Sequence, residues 1–136
     1  MYQFENDDSQ VLEQLLREQI VAYNQAHFDA QRLPLGCKFV DENQQVVAAV
    51  AAQLFGNWLQ INWLWCDEKA RGQGLASKLL SAIELKGKQL GALQVQLDTL
   101  DFQAKPFYEH RGYEVKYQID NYPRSGTRYF MEKSLS

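Results

Sequence analysis

The sequence predicts one α/β domain over residues 1–136, built on a mixed, mostly antiparallel sheet that is flanked by helices. Three observations predict this fold class. The first half of the chain contains apolar runs separated by turn signals, which is typical of antiparallel strands. A glycine-containing stretch then connects a strand to an amphipathic helix and another strand, which is typical of a parallel strand–helix–strand step. Two more apolar runs across a Pro- and Gly-containing turn close the chain.

The N-terminal region predicts an amphipathic helix or a pair of helices. Residues 6–10 (NDDSQ) offer several side chains that can cap a helix N-terminus. The helical pattern ends before Leu33-Pro34, because proline disfavours helical geometry at the residue before it. Apolar residues recur at helical spacing at Val11, Leu12, Leu15, Leu16, Ile20 and Tyr23. The first few residues can form a short strand.

Three antiparallel strands are predicted next. They cover residues 36–40 (GCKFV), 46–55 (VVAAVAAQLF) and 58–66 (WLQINWLWC). Gly56-Asn57 lies between two apolar runs and predicts a tight hairpin turn. Alanine favours a helix in the second run, but the valines of that run and the close turns on both sides favour a strand.

The parallel step follows these strands. Apolar residues at spacings of three and four predict a helix that has Gly87 on its buried face and ends at Gly91. The recurring residues are Ala76, Leu79, Leu80, Ile83, Gly87 and Leu90. Residues 93–99 (LQVQLDT) alternate in polarity and predict a strand parallel to residues 58–66.

Three elements complete the chain. Pro106 suits the first turn of a short helix that runs to Arg111 and is closed by Gly112. Residues 113–119 and 127–135 predict two strands, which are joined by the turn NYPRSG.

Charge and cysteine usage argue against several function classes. A net charge of −3 disfavours nucleic acid and anionic membranes as partners, since both require a concentrated positive field. The two cysteines and two histidines lack the spacing of metal ligands, so we expect no metal site. The polar N-terminus is unlike a signal peptide, and no apolar run approaches the ~20 residues of a membrane span, so we expect a cytoplasmic protein.

The stretch ARGQGLASKLL, residues 70–80, lies between the end of a predicted strand and the start of a predicted helix. The first amides of a helix have no partner within it, and together with the helix dipole they can bind phosphate oxygens. Gly72 and Gly74 would let the backbone approach a phosphate closely, and Arg71 adds a positive charge. The alternative is that the glycines only form a turn. Neither the Walker pattern nor GxGxxG fits the spacing.

This stretch and a second block resemble the GNAT superfamily of acetyl-CoA-dependent N-acetyltransferases, specifically a small bacterial type. Arg71, Gly74 and Ala76 match the family signature R/Q-x-x-G-x-G/A. The segment AKPFYEHRGYEV resembles A-x-x-x-Y-x-x-x-G-F/Y, and the residues that carry the resemblance are Ala104, Phe107, Tyr108, Gly112 and Tyr113. The resemblance covers essentially the whole chain and implies the GNAT fold.

The resemblance implies acetyl-CoA as co-substrate. Its pyrophosphate would lie on the loop and first helical turn, at Arg71, Gly72, Gln73, Gly74, Leu75, Ala76 and Ser77. Its pantetheine arm would pair with the preceding strand at Leu64, Trp65 and Cys66. In the family that strand carries a bulge and diverges from its parallel neighbour. An N–H near Trp65 or Cys66 would polarise the thioester carbonyl.

The resemblance also implies a catalytic role for Tyr108, whose phenol would protonate the departing sulfur. The alternative for Tyr108 is an amphipathic core residue. Many relatives carry Asn at the position of Asp101 and use its amide on the pantetheine arm. An ionised Asp cannot donate that hydrogen bond, so the contact is lost or Gln103 supplies it.

Two other roles stay open in the sequence. The strand over residues 58–66 lacks the carboxylate base that many relatives carry there, which leaves a relayed water or one of four acidic residues. These are Asp67, Glu68, Asp98 and Asp101. Candidates for acceptor contact near the last turn are Tyr122, Arg124 and Tyr129.

The sequence therefore predicts an N-acetyltransferase that acts on a primary amine of a small molecule or peptide by direct attack. The negative net charge favours a cationic acceptor. One alternative is a non-catalytic acyl-CoA-binding regulatory module. Another is a dimerisation domain, because the aromatic last strands can pair in a homodimer across a two-fold axis.

Overall fold

The computed structural model describes residues 1–136, which divide into two compact units, Met1–Gln31 and Arg32–Ser136. The elements in chain order are α1 (Gln10–Gln25), β1 (Arg32–Val40), β2 (Val46–Phe55), β3 (Trp58–Cys66), α2 (Leu75–Gln89), β4 (Gln94–Leu100), α3 (Lys105–His110), β5 (Glu114–Asp120) and β6 (Thr127–Ser134). A 3₁₀ turn covers Glu68–Ala70 between β3 and α2.

The first unit contains one helix, α1. Ser9 is the N-cap, and its hydroxyl accepts a hydrogen bond from the Leu12 amide at 3.2 Å. The helix thus begins where the cap-rich segment predicts. The structure shows a single helix rather than a pair, and the expectation of a strand before it was wrong, because residues 1–9 form no strand. The helices are too short or too polar to span a membrane.

The second unit is built on a six-stranded sheet in the order β1-β2-β3-β4-β6-β5. The β3–β4 pair is parallel and the other four neighbouring pairs are antiparallel. This mixed sheet with one parallel step confirms the predicted fold class. Because β6 lies between β4 and β5, the last strand of the chain borders the parallel pair.

The alanine-rich β2 is a central strand, as its valines and flanking turns predicted. Ala48 and Ala52 are buried on the face that also contains Val50 and Leu54. The helix α2 packs across β1, β2 and β3. Pairing with two neighbours and burial under α2 therefore override the helical preference of alanine.

The core lies between the sheet and α2. Gly87 is buried, and a Cβ atom added there would lie 2.9 Å from Leu59 Cδ2, so glycine permits the close contact between α2 and β3. The helix ends before Gly91, which has a φ of 106°. The fully buried side chains at the centre of the core are Leu59, Leu79, Leu80, Ile83, Val95 and Met131.

Candidate active site

The two parallel strands separate soon after they pair. The ladder joins Trp58–Gln60 of β3 to Gln94–Gln96 of β4, and it extends no further. On the other side of β3, Ala51 pairs with Trp63 and Ala52 pairs with Ile61, which leaves Asn62 as an extra, bulged residue. A bulge bends its strand away from its neighbour. The sheet therefore opens between the carboxyl ends of β3 and β4, where the resemblance places a bulge and a divergence.

This opening is a cleft of about 810 Å³. Residues from β3, β4, α3 and the turn before β6 line it. Seven of the residues predicted for the site lie along it, namely Leu64, Trp65, Cys66, Arg71, Ala76, Gln103 and Tyr108. The structure thus brings residues from both sequence blocks together in one cleft.

The glycine loop leads from β3 into α2. Gly72 has a φ of 81° and Gly74, the N-cap of α2, a φ of 74°, conformations that side-chain-bearing residues rarely adopt. No side chain caps the first turn of α2, so its amides stay available to an anion. Arg71 Nε donates a hydrogen bond to the Cys66 carbonyl at 3.3 Å, which keeps the guanidinium at the edge of the cleft.

Other residues of the loop lie outside the cleft. Gln73 and Leu75 line a separate pocket together with Phe39 and Asp67. Ser77 Oγ accepts a hydrogen bond from Arg111 Nη2. Gly72 and Gly74 are absent from the lining of the cleft and instead shape the backbone of the loop.

Arg111 was not among the predicted site residues. Its guanidinium lies 5.1 Å from the centre of the Phe107 ring and reaches Ser77 in the first turn of α2. It therefore connects α3 to the N-terminus of α2. The spacing of the two residues along the chain gives no signal of this contact.

Tyr108 lies on α3 and is both a core residue and a cleft residue. Its exposed fraction is 7%, and its ring makes edge contacts with Phe107 and Tyr113. Burial, and secondarily the negative charge of Asp98, raises the pKa of the Tyr108 phenol. The hydroxyl makes no hydrogen bond within the chain, while the residue lines the cleft. The phenol thus stays protonated and free to donate.

Tyr113, the second aromatic residue of this block, lies in a different environment. Its hydroxyl donates a hydrogen bond to Glu84 Oε2 at 2.7 Å, and Lys133 Nζ donates to Glu84 Oε1 at 2.8 Å. Burial and the adjacent Glu84 carboxylate raise the pKa of Tyr113. The ring supports Tyr108 from the core side at a centroid distance of 5.6 Å.

Gln103 and Asp101, the two residues considered for the pantetheine contact, lie in different environments. Gln103 lines the cleft, and its Oε1 accepts hydrogen bonds from the Leu100 amide at 2.8 Å and from Thr99 Oγ1 at 3.3 Å. These contacts orient the side chain and leave its NH₂ group free to donate. Asp101 does not line the cleft, and its amide donates to the Thr127 carbonyl at 3.0 Å.

Residues from the C-terminal part of the chain form one side of the cleft. Of the three candidates for acceptor contact, Tyr122 lines the cleft, whereas Arg124 and Tyr129 do not. Arg128 and Asp98 also line it and form an ion pair, with Arg128 Nε 3.1 Å from Asp98 Oδ1. Sequence reasoning missed Arg128, since the neighbour of β4 in the sheet is not visible in the sequence.

Comparison with known proteins agrees with this geometry. The family profile of the acetyltransferase (GNAT) domain matches residues 35–115. The chain is 33% identical over 95 residues to blasticidin-S acetyltransferase of Streptomyces morookaense, covering 69% of this chain and 70% of that protein. It is 29% identical over 102 residues to an acetyltransferase of Agrobacterium fabrum, covering 74% of each.

A solved structure shows the same fold. The crystal structure of an acetyltransferase from Bacillus cereus superposes with a TM-score of 0.86 over 97% of each chain, at 24% identity. With the family profile, the relatives and the divergent strands in agreement, this chain belongs to the GNAT family of acetyltransferases and is an acyltransferase.

Proposed function

We propose that the protein transfers the acetyl group of acetyl-CoA to a primary amine of a small molecule or peptide by direct attack of the amine. The observation that carries this proposal is the cleft itself. It opens where β3 and β4 diverge, and both the arginine of the glycine loop and Tyr108 line it. Acetyl transfer is the activity of the family. In this chain, Arg71 suits the pyrophosphate of the co-substrate and Tyr108 suits its thioester sulfur.

The residues fit acetyl-CoA. The uncapped first turn of α2 and the loop before it, Arg71 to Ser77, would hold the pyrophosphate, as helix N-termini commonly do. From Leu64 to Cys66, β3 does not pair with β4. The main chain of this segment would therefore bind the amides of the pantetheine arm. The free NH₂ group of Gln103 would supply the side-chain contact that Asp101 cannot. Bound acetyl-CoA contributes an activated thioester.

Tyr108 acts as the proton donor in this proposal. A thiolate is a better leaving group when a neutral phenol hydrogen-bonds to it or protonates it. A phenol is neutral at physiological pH at its ordinary pKa, and burial raises the pKa of Tyr108 further. Its free hydroxyl in the cleft suits a donor role.

The names of the relatives favour catalysis over a non-catalytic acyl-CoA-binding module. Both curated relatives are acetyltransferases, and the name of one of them specifies a small molecule, blasticidin S. This supports a small-molecule acceptor ahead of a peptide. A single acetyltransferase domain over residues 1–136, a cytoplasmic location and a homodimer stay predictions, and sedimentation analysis measures the last of these.

The test compares Tyr108→Phe with the wild type and with Tyr117→Phe, which makes the same change at an exposed site. Thiol release from acetyl-CoA is measured across a panel of amines, and acetyl-CoA binding by thermal shift. We expect Tyr108→Phe to lower kcat about 100-fold, in the range of a lost general acid, while acetyl-CoA binding persists. Tyr117→Phe should behave as the wild type. A wild-type protein that binds acetyl-CoA and acetylates no amine would support the non-catalytic module instead.

A further inference from the structure

The four acidic residues that the sequence leaves open as proton acceptors occupy different places. Asp67 Oδ1 accepts a hydrogen bond from the Lys69 amide at 3.1 Å and caps the turn over Glu68–Ala70. Neither Asp67 nor Glu68 lines the cleft. Asp101 lies at the end of β4, outside it. Asp98 is the only one of the four that lines the cleft, together with Tyr108.

Asp98 stands where the two parallel strands part. It is two residues beyond Gln96, the last residue of β4 that pairs with β3. Along β4, Asp98 alternates with the buried residues Leu97 and Thr99, so its side chain leaves the sheet on the opposite face from theirs. Its charge nevertheless acts on Tyr108, whose pKa it helps to raise. Asp98 and the proposed proton donor therefore line the same cleft.

Arg128 holds this carboxylate in place. Its Nε donates to Asp98 Oδ1 at 3.1 Å, and its Nη1 lies 3.5 Å from the Tyr122 hydroxyl. Its guanidinium lies over the rings of Tyr122 and Phe130, at 5.3 and 4.8 Å from their centres. The side chains of Asp98 and Arg128 are 42% and 30% exposed, and pairs this exposed contribute little to stability. The cluster thus fixes the orientation of Asp98 more than it stabilises the fold.

We propose that Asp98, positioned by Arg128, binds the ammonium group of the acceptor and accepts its proton. This inference rests on the proposed function and narrows its substrate class to cationic amines. Because Oδ1 accepts from Arg128, Oδ2 is the oxygen available to the acceptor. β3 itself contains no carboxylate, so this chain draws the base from β4.

The protons and electron pairs balance. The ammonium gives one proton to the Asp98 carboxylate, and the freed nitrogen lone pair forms the bond to the acetyl carbon. The carbon–sulfur bond breaks, its electron pair stays on sulfur, and the sulfur takes the Tyr108 proton. The nitrogen loses its second proton, which restores the Tyr108 phenol through solvent. Asp98 then releases its proton, so one acetylation yields one amide, one thiol and one proton.

The groups around Asp98 define the pH experiment. Asp98 pairs with Arg128 of β6 and shares the cleft with Tyr122 of the turn before β6 and Tyr108 of α3. Arg71 and Cys66 are the charged or titratable residues on the β3 side of the cleft. Arg128 carries a pKa raised mainly by its hydrogen bond to Asp98, so it keeps its charge throughout. A falling rate at low pH that depends on Asp98 therefore reports the proton acceptor itself.

The test uses Asp98→Asn with Glu114→Gln as matched control. Glu114 pairs with Lys116 on the exposed β5, so both variants remove one negative charge and one ion pair. With a good amine from the panel, we expect Asp98→Asn to lower kcat about 100-fold, to raise the acceptor KM and to abolish the fall of kcat at low pH. Acetyl-CoA binding, measured by thermal shift, should be retained. Glu114→Gln should match the wild type.

Two further variants distinguish the orienting effect of Arg128 on Asp98 from the effect of its charge. Arg128→Lys keeps the charge and loses the planar fork, so we expect a loss of kcat intermediate between wild type and Asp98→Asn. Asp98→Asn combined with Arg128→Gln leaves no unpaired charge, and we expect it to be as inactive as Asp98→Asn alone. The proposal is overturned if Asp98→Asn keeps kcat and the low-pH limb, or if the double variant regains activity. A wild type that acetylates no amine overturns the proposed function as well.

Discussion

Tyr108 and Tyr113 show how surroundings decide the role of two similar residues. Both rings are buried and touch each other. The Tyr113 hydroxyl is held by Glu84, which Lys133 neutralises, whereas the Tyr108 hydroxyl is free and borders the cleft. Both tyrosines match the family segment, but Glu84 lies 29 residues before Tyr113 and no local pattern connects them. The structural role of Tyr113 therefore follows from the fold and could not be predicted from the sequence.

We predict that Tyr113→Phe lowers the free energy of unfolding by about 1–2 kcal/mol, because Glu84 loses a partly buried hydrogen bond and keeps its ion pair. Since the ring remains, Tyr108 keeps its support and kcat should change by less than about threefold. Urea unfolding and steady-state kinetics on the same preparation measure both quantities. A large loss of kcat with unchanged stability would assign Tyr113 to the chemistry and contradict this division of roles.

At the scale of elements, local patterns predicted most of the helices and strands. Gly56-Asn57 closes the β2–β3 hairpin, Gly91 ends α2, and Gly112, with a φ of 93°, follows α3. Each of these signals acts over a few residues, so it is visible in the sequence. The position of β6 beside β4 depends on pairing between distant segments, and so the pairing of Arg128 with Asp98 was not predicted.

Gly74 and Gly91 offer a matched test of the loop. Both have a positive φ, 74° and 106°, and a Cβ added at either meets no atom within 4 Å. Alanine at either position should therefore cost about 1–2 kcal/mol of stability through backbone strain alone. Only Gly74 lies at the proposed pyrophosphate site, so we expect Gly74→Ala to weaken acetyl-CoA binding about tenfold and Gly91→Ala to leave it unchanged.

Titration calorimetry with acetyl-CoA measures the affinities, and urea unfolding measures the stabilities. Equal loss of affinity in both variants would mean that global strain, rather than the loop, controls binding. Unchanged affinity in Gly74→Ala would place the phosphates elsewhere.

At the scale of the whole chain, the topology explains how two separated sequence blocks form one site. Residues 70–76 lead into the first turn of α2, and residues 103–108 follow β4. The parallel pairing of β3 with β4 brings both to the same end of the sheet. This convergence follows from the strand–helix–strand step that the sequence predicts. Tyr122 and Arg128 form a further side of the cleft, and their position depends on the strand order β4-β6-β5. Periodicity and turn signals in the sequence do not predict this order.

The most direct test of the central claim is a crystal structure of the wild-type protein with bound acetyl-CoA. The account predicts that the pyrophosphate lies on the first-turn amides of α2, that the pantetheine arm runs between β3 and β4, and that the sulfur contacts the Tyr108 hydroxyl. Acetyl-CoA bound outside this cleft, or bound within it with the sulfur out of reach of Tyr108, would contradict it.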